Sequence, residues 1–83
     1  MPISTIGGRD YYTNAVEATI TGTYSTVPAN TKAIFFVTGD SYVLKFDNDV
    51  EVTLTPDAQQ ITNIIPSEIK DASGDSRQII YLF

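Results

Sequence analysis

At 83 residues the chain is one domain, small enough that its own core leaves only a thin margin of stability. Its net charge is −5, and its five basic residues are scattered, which works against nucleic acid and anionic membrane surfaces as partners because both need clustered Lys and Arg. Without Cys or His it has no disulfide, no thiolate or imidazole metal ligand and no usual general base, so extra support is expected from self-assembly or from docking on a larger body.

Residues 1–12 read as a loose N-terminal arm, with residues 13–83 as a single β-domain. The arm is rich in Ser, Thr and Gly and contains Gly7-Gly8. No apolar run approaches the ~20 residues of a membrane span, and no basic-then-apolar leader is visible; the lack of Cys fits an expected cytosolic site of synthesis. The Thr and Tyr content of Tyr11 to Tyr24 favours a strand. A helical turn over Thr13–Ala18 is the competing reading. Ser25 to Asn30 is a turn cluster around Pro28.

The stretch from Ala33 to Thr55 holds three β-rich runs separated by Gly39-Asp40-Ser41 and Asp47-Asn48-Asp49. This predicts a three-stranded antiparallel meander. The first run is apolar on both faces and reads as the most buried strand. In the second, Tyr42, Leu44 and Phe46 share a face. In the third, Val50, Val52 and Leu54 do.

Pro56 then ends a strand or marks an edge. Ile61–Ile65 reads as a strand, Pro66 as a bend, and Ser67–Asp71 as a further extended segment. After the turn at Ala72–Ser76 comes a last strand, Gln78 to Phe83, apolar on both faces. Such a strand has to be tucked into a sheet or against a partner. The fold class is all-β: a small antiparallel β-sandwich or partly open barrel of six to eight short strands. The predicted core is Ile34, Phe36, Val37, Leu44, Phe46, Val52, Leu54, Ile65, Ile79 and Tyr81.

Asp47-Asn48-Asp49 with Glu51 is the densest acidic cluster along the chain. Oxygen ligands suit Ca²⁺, but an EF-hand spacing is missing and turn chemistry accounts for these residues, so no metal is assigned. Gly39-Asp40-Ser41 lacks the Gly-x-Ser-x-Gly pattern and the His of a hydrolase elbow. No phosphate loop and no assignable carboxylate pair is present. The chain is therefore read as non-enzymatic, with no catalytic residue and no cofactor. Tyr11, Tyr12, Tyr24 and Tyr42 are the aromatics expected at the surface, as interface anchors or as caps on the core edges.

From Val27 onward the order of pieces resembles a group of very small virion proteins from tailed phages and gene transfer agents, some of them head spike base proteins. Pro28-Ala29 leads into the apolar strand Ala33–Thr38 and the turn Gly39-Asp40. Two alternating strands follow over Tyr42–Thr55, then Ile64-Ile65-Pro66-Ser67-Glu68-Ile69. The turn Ala72-Ser73-Gly74-Asp75 precedes the closing strand Ile79-Ile80-Tyr81-Leu82-Phe83. Glu68 and Asp71 stand where that group is usually basic, and Tyr11–Tyr24 has no counterpart in it.

The resemblance implies a virion structural protein: a capsid cement, decoration or spike-base subunit on the capsid exterior, made in the host cytoplasm. Its expected partners are itself, as a homo-oligomer with a trimer ahead of a pentamer, and the major capsid protein or another virion protein. Neither nucleic acid nor membrane is expected. Ile3, Ile6, Tyr11, Tyr12, Tyr24, Leu82 and Phe83 are the expected interface residues, with the arm ordering on assembly. The alternative is a stand-alone carbohydrate- or peptide-binding β-module.

Overall fold

A computed structural model describes residues 12–83. Its eight strands are β1 (Ala15–Ile20), β2 (Ser25–Thr26), β3 (Ala33–Phe36), β4 (Tyr42–Lys45), β5 (Glu51–Leu54), β6 (Gln60–Thr62), β7 (Glu68–Asp71) and β8 (Arg77–Leu82). They form two four-stranded antiparallel sheets, and no helix occurs among the described residues. Sheet A has the order β1-β8-β3-β6 and sheet B the order β2-β7-β4-β5. This is the expected small β-sandwich. The strand reading holds over Ala15–Ile20, and the helical alternative there is overturned.

The expected meander does not form. β3 lies in sheet A between β8 and β6, while β4 lies in sheet B between β5 and β7. β3 pairs along one edge with β8 and along the other with β6, so both of its hydrogen-bonding edges are used inside sheet A. Only β4 and β5 make a hairpin. The other six connections all cross from one sheet to the other. In the hairpin, Asp49 N–H donates to the Phe46 carbonyl at 2.9 Å and Phe46 N–H to the Val50 carbonyl at 3.0 Å. Asp49 takes φ 66, the left-handed residue that follows a type I turn in a three-residue loop.

The inner faces meet in a core of Ile20, Val27, Ile34, Phe36, Tyr42, Leu44, Ile69, Ile79 and Tyr81. The Phe36 and Tyr42 rings pack across the two sheets at 4.8 Å. Five of the expected core residues, Ile34, Phe36, Leu44, Ile79 and Tyr81, are buried; Phe46, Leu54 and Ile65 pack against them. Val52 is a correction. It is 45% exposed because β5 is an edge strand whose inward side overhangs the core. Val50, expected on the same oily face, is also exposed. Val37 is half-buried just beyond β3, outside the core cluster. Tyr42, expected at the surface, is fully buried, and its hydroxyl reaches the Thr38 carbonyl at 3.1 Å.

β8 is the keystone of sheet A. It pairs with β1 from Ala15↔Leu82 to Ile20↔Arg77 and with β3 from Ala33↔Leu82 to Phe36↔Ile79. Registers place the links after β1, β3, β5 and β7 at one end of the sandwich. There Asp71 N–H donates to the Thr21 carbonyl at 2.7 Å, and a Cβ on Gly22 would stand 2.9 Å from the Gly74 Cα. Gly22 therefore has to be glycine for the first and last of these links to touch.

Candidate functional site

Alternation along the strands defines two outer faces, and their chemistry differs. On sheet A, Ile34, Phe36, Ile79 and Tyr81 point inward, so Phe35 and Ile80 point outward. Register aligns Ile61, Phe35 and Ile80 in one row across β6, β3 and β8, and Glu17 on β1 completes it. The three apolar members are half-buried. The neighbouring row holds Ala33, Leu82 and Ala15.

On sheet B the outer face carries Lys45, Glu51, Glu68, Lys70, Val43 and Thr53 by the same alternation. Tyr24, just before β2, is caught within this charged layer. Its ring lies under Lys70 Nζ at 4.7 Å and Lys45 Nζ at 5.3 Å. Its hydroxyl donates to Glu51 Oε2 at 2.7 Å. That hydrogen bond, with the negative charges of Glu51 and Glu68 nearby, pushes the Tyr24 phenol up to about 12. One ring thus ties together β4, β5 and β7. Lys45 also stands 3.9 Å from Asp49 and 4.0 Å from Glu68; pairs this exposed contribute little each.

The expected interface residues are scattered. Ile3, Ile6 and Tyr11, and the expected loose arm up to residue 11, lie outside the described residues. Tyr12 is half-buried at the start of the described chain. Tyr24 is engaged on sheet B. Leu82 is 5% exposed, and its backbone lies opposite Ala15 on β1 and Ala33 on β3. Phe83 packs on the core, and its backbone is held by Thr13 N–H at 2.7 Å on its carbonyl and by the Asn14 carbonyl at 2.9 Å on its N–H. Sequence reasoning missed the Ile61–Phe35–Ile80 row. Each residue sits in a run that reads as plain core, and only register shows that the three face away from it.

The turn acids Asp47, Asp49 and Glu51 do not converge. Glu51 takes the Tyr24 hydroxyl and Asp49 leans on Lys45. A different group does converge: Asp40, Asp71 and Asp75 each bring a carboxylate oxygen within 4.8 Å of the others. The backbone N–H of Ser41 on Asp40, reinforced by Arg77, holds the Asp40 carboxyl below its usual range. Ser41 Oγ sits 3.1 Å from Thr55 Oγ1, a hydroxyl–hydroxyl contact. A cleft of about 140 Å³ opens between the edge strands β5 and β6, lined by Phe36, Leu54, Pro56 and Gln60 among others. This is below the ~300 Å³ at which ligand pockets usually begin. Comparisons with protein-family models, with curated proteins and with solved structures return no match.

Proposed function

We propose that this chain is a non-enzymatic virion structural protein, a capsid cement, decoration or spike-base subunit that self-associates and docks on the major capsid protein. The observation that carries this reading is the apolar outer row of sheet A, Ile61–Phe35–Ile80, set against a sheet B whose outer charges are satisfied internally. Strands of three to six residues, about 3.3 Å per residue and about 4.8 Å apart, present a face on the order of 300 Å². A stable pairwise interface takes about 800 Å² from each partner. One such face is too small to hold an isolated pair firmly, and it suits a subunit held by several contacts at once, on its neighbours and on a capsid floor. The virion resemblance of Val27–Phe83 points the same way. A sugar- or peptide-binding module would call on Tyr24 and Tyr42, and both are already engaged.

Sedimentation velocity at micromolar concentration, with co-sedimentation on purified phage capsids, tests this reading. The full chain is expected to self-associate and to pellet with capsids. Ile80→Lys with Phe35→Lys is expected to stay folded and to lose both. A strict monomer that stays off capsids would sink the proposal.

A further inference from the structure

At the end of the sandwich where four links gather, Asp40 comes from the β3–β4 link, Asp71 ends β7, and Ser73 and Asp75 belong to the β7–β8 link. Arg77 opens β8. The Arg77 guanidinium covers two of the carboxylates, with Nε at 2.8 Å from Asp40 Oδ2 and a terminal nitrogen at 3.3 Å from Asp75 Oδ2. Three carboxylates and one guanidinium leave the group with two uncompensated negative charges.

Asp71 is the residue that matters. It is 1% exposed. Its Oδ1 accepts from Ser73 N–H and from Ser73 Oγ, both at 3.1 Å. Its Oδ2 is buried with no hydrogen-bond partner. One of its oxygens lies with those of Asp40 and Asp75, and its carboxyl is within hydrogen-bonding reach of the Asp40 carboxyl. A buried carboxylate oxygen without a donor is costly, and native structures rarely leave one so.

The Ser73 hydroxyl shows the same deficit. Carboxylate oxygens of Asp71, Asp75 and Asp40 lie 3.1, 3.2 and 3.4 Å from its Oγ. A hydroxyl has one proton to donate, so two of these three contacts join acceptor to acceptor. A cation among the oxygens removes the conflict. Ligands about 2.4 Å from a shared Ca²⁺ stand at most about 4.8 Å apart, and these carboxylate oxygens all lie within that distance of one another.

We propose that Asp40, Asp71 and Asp75, with the Ser73 hydroxyl, form a Ca²⁺ site that clasps the β3–β4 and β7–β8 links at one end of the sandwich. Oxygen-only ligands in irregular geometry favour Ca²⁺ over Mg²⁺, which demands a near-ideal octahedron. The divalent charge matches the residual charge of the group. The site is independent of the docking row on sheet A.

The test uses the full chain. Tb³⁺, standing in for Ca²⁺, is expected to luminesce through Tyr42, which pairs in register with Asp71, and Ca²⁺ is expected to quench that emission by displacing it. With a Kd near 1 mM, about 10 mM Ca²⁺ is expected to raise Tm by about 5–10 °C over the same protein in EDTA. Asp75→Asn, at an exposed position, leaves the fold intact and is expected to remove both responses. Asp71→Asn is expected to do the same, and Asp75→Asn carries the test if that variant fails to fold. Asp57→Asn, outside the group, is expected to keep both responses. No response of the full chain, or a response retained in Asp75→Asn, overturns the site and leaves the orphaned oxygen to water.

Discussion

Sheet A is apolar on both faces along its centre, whereas sheet B is apolar inside and charged outside. The difference comes from which strands each sheet recruits. β3 and β8 are the two runs with apolar residues at successive positions, and they pair with each other. β4, β5 and β7 alternate, so their charged residues align on one side and find partners there. A sheet built from alternating strands finishes its own outer surface. A sheet built from doubly apolar strands has an apolar outer surface as well, here half-buried at Phe35, Ile61 and Ile80 and buried at Ala33 and Leu82.

The largest test of this asymmetry is truncation after Gln78. It removes Ile79, Tyr81 and Leu82, all buried, and leaves β1 and β3 without the strand between them. Burial of each large side chain contributes about 1.5–3 kcal/mol, against a total of about 5–15 kcal/mol for a folded domain. No cooperative thermal transition is expected. A truncated chain that melts near the full-length Tm would mean that sheet A does not depend on β8.

Adjacent residues of β8 separate the two faces. Ile79→Ala empties the core and is expected to cost about 2–5 kcal/mol by urea titration. Ile80→Ala, on the outer row, is expected to cost about 1 kcal/mol or less and to act instead on association. Equal losses would show that both faces of sheet A are packed within the subunit.

Tyr81 supplies a smaller effect of opposite sign. Burial raises the pKa of its phenol, and the hydroxyl is enclosed without a hydrogen-bond partner. Tyr81→Phe keeps the ring and removes the unsatisfied group, so a gain of about 1 kcal/mol is expected, read as a higher Tm. A clear loss would reveal a partner for the hydroxyl.

The smallest effect belongs to sheet B. Tyr24 has its pKa pushed up from 10.0 to about 12, chiefly by the hydrogen bond to Glu51. A folded-state pKa above the unfolded value gives stability that is present below pH 10 and lost as pH rises from about 10 towards 12. Phenolate absorbance is expected to show a tyrosine titrating late, and Glu51→Gln is expected to bring it back towards its ordinary value. An unchanged titration in that variant would remove Glu51 as the cause.

Much of the architecture was legible in the amino-acid order. Alternation in Tyr42–Phe46, the turn at Asp47–Asp49, the punctuation by Pro56 and Pro66 and the doubly apolar Gln78–Phe83 marked strands, hairpin, bends and a strand needing cover on both sides. Pleat and turn preferences are local, so they can be read from neighbours in the chain. Partner choice is not local. The sequence predicts a meander at Ala33–Thr55 because adjacent strands commonly pair, yet β3 took β8 and β6, far away in the chain. That choice turned Phe35, Ile61 and Ile80 into one outward row, exposed Val52 and buried Tyr42. It also gathered Asp40, Asp71 and Asp75, 31 and 4 positions apart in the chain, around one hydroxyl. Residue type determined what each strand could bury. Only the pairing of strands distant in sequence decided which side chains face the core, the solvent or one another, because register is a property of two segments and neither carries it alone.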